Sequence, residues 1–268
     1  MLEVLGMPFM QRALLGALMV AYLANFFGPL VVQRRMAFLG SGLAHAAFGG
    51  VALGVLLHLE PLWTALPFTV LVSIGITAIQ HNSTLQSDTI IGIFFSAAMA
   101  LGIVFLYQSD AYSRDAFSYL FGSILAIQPA DLWVALAVCV GSLALWPFWG
   151  SWAYATFDRN LAVVDRVSVR LHDYVLQACL ALTIVVCMKL VGIILFSAFL
   201  VLPAATARVF ARSFAGMTVM AMILGFATTI VGLLASHPLS LPSGPAIILL
   251  QTGIFFLSLA ARMLIRRH

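Results

Sequence analysis

Apolar residues run along this chain in blocks of about 20, separated by short polar breaks, the pattern of helices that cross a hydrocarbon layer. The blocks predict helices over residues 11–32, 42–58, 62–79, 89–107, 132–149, 174–188, 190–207, 215–235 and 246–265, nine spans in all. A further stretch at 120–131, LFGSILAIQPAD, is too short to span and is interrupted by Gly122 and Pro129. It reads as a re-entrant or interfacial piece packed against protein. The first run is too long for a cleaved signal peptide and is kept as structure.

Composition agrees with this pattern. Hydrophobic residues make up 63% of the 268 and charged residues 8%, with a mean hydropathy of +1.10. A soluble surface needs roughly 25% charged residues, so the expected fold class is an all-α polytopic membrane protein of eight to nine transmembrane helices. One domain, 1–268, uses the whole length and leaves no room for a soluble one. Cys139, Cys179 and Cys187 all fall within apolar runs and read as small core hydrophobes, without disulfide or metal spacing.

The net charge of +4 carries no implication of nucleic-acid binding; what matters is which loops hold the basic residues. In the nine-span reading, Arg34, Arg35, Arg159, Arg166, Arg170, Arg208, Arg212, Arg262, Arg266 and Arg267 share one side, and Arg12, Arg114 and Lys189 the other. Positive loops stay inside, so the N-terminus is expected outside and the C-terminus in the cytoplasm. The polar outer loops would be 110–115 and 236–245. In the second, His237 beside Pro238 reads as a turn histidine or as a contact for an incoming ligand.

Candidate chemistry is sparse. In GSGLAHAAFGG, Gly40 to Gly50, one histidine stands among the smallest side chains. Gly42, Ala46 and Gly50 have the spacing of close helix contacts in lipid. His45 is open to two readings, an interhelical hydrogen bond or a transition-metal ligand on a polar path. Ser41, one turn earlier on the same face, would orient the ring or coordinate weakly. Asp88 and Asp131 read as helix caps, and Pro203 as a kink or a helix end. The polar stretch 156–173 carries Phe157, Leu161, Val164 and Val167 at spacings of four and three, an amphipathic helix that either lies on headgroups or docks another subunit. No phosphate-binding GxxxxGK[ST] loop, no GxSxG elbow and no HExxH pattern occurs.

Several stretches in order, among them RRMAFLGSGLAHAAFGGVALG (34–54), SDTIIGIFFSAAMALGIVFL (87–106), YLFGSILAIQPADL (119–132), MKLVGIILFSAFLVLPAATAR (188–208) and PSGPAIILL (242–250), resemble the membrane subunits of ABC importers for zinc, manganese and iron. The resemblance implies a permease half in the bacterial cytoplasmic (inner) membrane. It would work as a homodimer with a separate ATP-binding cassette subunit and an extracytoplasmic metal-binding protein. The permease itself would catalyse nothing and hold no permanent cofactor; zinc, then manganese, then iron would be its substrate. The loop 156–173 would be the coupling region, with Phe157, Asp158, Leu161, Ala162 and Asp165 matching the family pattern and Arg166 standing where relatives usually have glycine. His45 matches a metal-contacting histidine on the path, while Ser41 occupies the position of an aspartate and removes a carboxylate from the site. The alternative reading is an intramembrane metalloenzyme or an ATP-independent metal channel built on His45.

Overall fold

The computed structural model describes residues 8–109, 127–236, 238–239 and 241–265. The expected loop at 110–115, most of the 120–131 piece, and His237, Arg114, Arg266 and Arg267 lie outside them. Eleven helices follow in chain order: α1 Pro8–Gln33, α2 Leu39–Leu56, α3 Pro61–Asn82, α4 Ser87–Gln108, α5 Pro129–Ala144, α6 Trp146–Phe157, α7 Arg159–Val164, α8 Val169–Val191, α9 Ile193–Phe210, α10 Phe214–Ser236 and α11 Ser243–Ile265. Helices satisfy every interior N–H and C=O within the segment, as a hydrocarbon surround requires.

Seven of them (α1, α2, α3, α4, α8, α10 and α11) are long and apolar enough to cross a membrane. The bent pair α5–α6 makes an eighth if it counts as one span. The chain is an all-helical, multi-pass membrane protein. Two of the nine expected spans differ. The block at 132–149 is broken at Leu145, where the two helix axes bend by 66°. Pro147, in the first turn of α6, lacks an N–H and its ring excludes the carbonyl one turn back, so the helix restarts in a new direction. The block at 190–207 starts late, because α8 continues to Val191 and Gly192 then turns the chain at φ 82°, a conformation open to glycine. Its apolar run, Leu195–Phe210, falls short of the other spans. Pro203 does not end α9, which runs on to Phe210.

The core lies where α1, α8 and α9 meet. Phe26, Phe27, Leu180, Ile184, Phe196 and Phe199 are fully or almost fully buried there. α2 is clamped between α3 and α4, and α10 and α11 pack on α9, with α10 also against α1. A Cβ on Gly50 would stand 2.6 Å from the Ala65 Cα of α3, and one on Gly49 would stand 2.7 Å from the Ala98 carbonyl oxygen of α4. The small residues around His45 therefore do what their spacing predicts and bring three backbones together. The outward faces of α4 and α11 carry Ile103, Leu249 and Leu257, all largely exposed, which suits a lipid surround.

The helices alternate in direction, so the charged residues collect at two ends. Arg34, at the end of α1, meets Asp173 near the start of α8. Lys189, at the far end of α8, meets Asp131 at the start of α5 at 2.9 Å and approaches Glu60 before α3 at 4.0 Å. Asp131 is not the cap residue of α5, which is Gln128, but stands three residues on and closes a reciprocal capping box with it. Nor is Asp88 a cap: Gln86 is the cap residue of α4, and Asp88 sits inside the first turn, where a negative charge opposes the helix dipole favourably.

Candidate functional site

His45 is the seventh residue of α2, about 9 Å along its axis at 1.5 Å per residue, and its side chain is half-buried. Its Nδ1 lies 2.7 Å from the Ser41 backbone carbonyl and 3.4 Å from the Ser41 hydroxyl. A carbonyl only accepts, so Nδ1 carries the proton and donates it. The lone pair then resides on Nε2, the state in which imidazole binds a metal. The ring is oriented by the backbone carbonyl in the first place, with the hydroxyl more distant. Phe95 of α4 meets the imidazole edge-to-face at 5.1 Å between ring centroids and touches Phe38 on its other side. Leu43, Ala44, Ala46 and Ala47 around the histidine are buried. Nothing in the sequence pointed to Phe95, because its link to His45 crosses from one helix to another.

Among the described residues, no group of three or more His, Cys, Asp and Glu side chains is placed to hold a metal ion. The site of one chain therefore offers one imidazole and a weakly coordinating hydroxyl.

The stretch 156–173 is divided differently from one amphipathic helix. α6 runs through Phe157, α7 takes six residues, and α8 has begun before Asp173. Asp158 caps α7, accepting from the Leu161 N–H at 2.9 Å. Ala162 is fully buried in a small cluster with Ala155 and Val169. Asp165 accepts from the Tyr154 hydroxyl. Phe157 and Leu161 remain exposed, although the Phe157 ring also meets Phe214 edge-on. Of the five residues, then, three build the turn and two present an apolar surface. Arg166 adopts φ 60°, the left-handed region that glycine occupies without cost.

A second cluster ties this segment to the bundle. Arg34 donates from Nη1 to Asp173 at 2.6 Å and from Nε to Thr156 at 2.8 Å. Arg159 reaches the other Asp173 oxygen at 3.0 Å and donates to His81 Nδ1 at 3.0 Å. The Trp152 indole N–H donates to the His172 carbonyl at 3.0 Å. Sequence reading missed Asp173, Thr156 and His81 as partners, since Arg34 and Asp173 stand 139 positions apart.

A bundle of apolar antiparallel helices, with a helical turn exposed at its basic end and one available imidazole inside, defines a multi-pass transport protein of the membrane. The chain belongs to the ABC 3 transport family, whose model matches residues 6–262. It is 36% identical to the manganese import system permease protein ScaB of Streptococcus gordonii over 93% of this chain and 90% of that protein. It is 33% identical to the high-affinity zinc uptake system membrane protein ZnuB of Haemophilus influenzae over 93% of this chain and 96% of that one. Among solved structures, PsaBC from Streptococcus pneumoniae in complex with Fab superposes with a TM-score of 0.83 at 34% identity, covering 96% of this chain and 93% of that chain.

Proposed function

We propose that this chain is the membrane permease of an ATP-driven importer of a divalent transition metal, manganese or zinc, and that His45 touches the ion in transit. The observation that carries the reading is the imidazole: half-buried within a helix long and apolar enough to span, with Nδ1 spent on a backbone carbonyl and Nε2 left with its lone pair. Relatives named for manganese and for zinc stand at similar identity, 36% and 33%, so similarity does not rank zinc first. A path that offers an imidazole and a hydroxyl, with serine in place of a carboxylate, holds a cation loosely and lets it leave, as conduction requires.

In the same reading, two copies pair around the path, an extracytoplasmic protein delivers the metal, and a separate ATPase docks on the exposed face of α7. Phe157 and Leu161 form its apolar contact, while Asp158, Ala162 and Asp165 hold the turn that presents them. The basic end faces the cytoplasm of the bacterial inner membrane, with the N-terminus outside and the C-terminus inside, following the charge distribution.

The test is cellular metal content by mass spectrometry under metal limitation. A strain lacking the gene is compared with the same strain carrying wild type or His45→Ala at matched membrane abundance. Restoration of one metal by wild type, with at least about a tenfold smaller uptake by His45→Ala, names the substrate and puts His45 on its path. Equal restoration by both variants removes His45 from the path. No change in any metal removes metal import altogether.

A further inference from the structure

At the basic end, a cavity of about 370 Å³ opens among the ends of α1 and α3 and the starts of α4 and α8. Its charged lining is Arg34, Arg35, Arg159 and Asp173, three positive charges against one negative. Asp173 is fully committed, one oxygen to Arg34 and the other to Arg159, so no carboxylate is left to hold a cation. His81 Nδ1 likewise accepts a hydrogen bond from Arg159.

Donors, by contrast, remain. Arg35 is exposed, and its side chain has no hydrogen-bond or ion-pair partner among the described residues. The Arg159 side chain is 53% exposed, and only one of its terminal nitrogens is engaged. The Gln80 amide N–H reaches only the Met36 sulfur, at 4.0 Å, and a thioether is a weak acceptor. Gln177, also on the wall, spends its N–H on the same sulfur and leaves its buried carbonyl oxygen without a partner, so its amide is free to reorient toward a ligand or a water. Ser87 opens α4 at the cavity wall, but Asp88 follows it in the same first turn and the Gln86 carbonyl already accepts from the Thr89 and Ile90 N–H groups, so this helix start adds little to the donors.

We propose that this cavity is a phosphate-binding site, filled by the phosphodiester headgroup of an acidic phospholipid from the leaflet at the basic end. The cavity lies where helices end, which is where headgroups lie, and basic pockets between membrane helices suit such groups. The guanidinium of Arg35 and the free edge of Arg159 supply planar donors for phosphate oxygens. Because Arg159 is the first residue of α7, the lipid would bridge the exposed turn and the bundle. This inference is independent of which metal is carried.

The test uses the purified full-length chain in a non-ionic detergent. Its thermal unfolding is titrated with phosphatidylglycerol, phosphatidylcholine and inorganic phosphate. Phosphatidylglycerol is expected to raise the midpoint saturably and phosphatidylcholine not at all. Arg35→Gln and Arg159→Gln should each raise the half-saturating phosphatidylglycerol concentration about fivefold. Arg212→Gln, an exposed arginine of the same end away from the cavity, should leave it unchanged. Protection by inorganic phosphate that both cavity variants weaken, without protection by the lipid, keeps the phosphate site and assigns it to a soluble ligand. Equal protection by both lipids overturns the proposal, as does an Arg212→Gln effect equal to that of Arg35→Gln, since diffuse surface attraction then explains the binding. The Arg35 side chain has no hydrogen-bond or ion-pair partner among the described residues, so its variant tests the site even if Arg159→Gln fails to fold.

Discussion

At the scale of single residues, left-handed backbone occurs at three non-glycine positions among the described residues, Arg35, His58 and Arg166, each just after a helix. An L-residue there pays about 1–2 kcal/mol for its Cβ. Arg166 therefore makes the same kind of turn that glycine makes freely, at a cost in strain. Arg166→Gly is expected to stabilise the protein by up to about 1 kcal/mol, less what the unfolded glycine gains in freedom, whereas Arg166→Val should lower the melting midpoint. Thermal unfolding of the two variants in detergent checks this, and a glycine variant as unstable as the valine one would refute the strain. His45 was legible because an imidazole among glycine and alanine has little local work to do. Asp173 was not: its partners come from α1, α3 and α7, and no local pattern announces an ion pair between residues so distant in sequence.

At the scale of elements, period and length located most of the helices, and the two misplaced spans trace to one proline and one glycine, Pro147 and Gly192. Pro147 lies inside the predicted block at 132–149, yet the apolar run continues across it, and hydropathy does not register a missing N–H. Pro29, Pro67 and Pro203 lie inside α1, α3 and α9 without splitting them, so proline alone does not announce a break. Glycine was a better guide, because Gly49 and Gly50 are small for a stated reason. Gly50→Val is expected to cost about 1–3 kcal/mol, since its new atoms would meet Ala65 backbone that cannot move aside. Gly253→Ala, on α11, is the matched control: a Cβ there meets nothing within 4 Å, and helix propensity favours alanine by about 1 kcal/mol. Fluorescence-detected size exclusion after heating should separate the two variants in opposite directions from wild type.

At the scale of the whole molecule, the proposed importer needs its exposed turn to be recognised by an ATPase without being part of the core. Leu161 is 48% and Phe157 61% exposed, whereas Ala162, next to Leu161 in the turn, is fully buried. Leu161→Glu should leave the permease folded, with an unchanged melting midpoint, and reduce co-purification of the ATPase subunit at least about tenfold. Leu161→Met should retain it. Loss of folding with Leu161→Glu, or full retention of the subunit, would move the docking surface elsewhere. One further property follows from α8. Charged groups clamp it near both ends, Asp173 to α1 and α7 on one side and Lys189 to α5 on the other. The two ties stand 16 residues apart, about 24 Å at 1.5 Å each, so one helix carries the charged contacts of both ends of the bundle and resists sliding along its own axis.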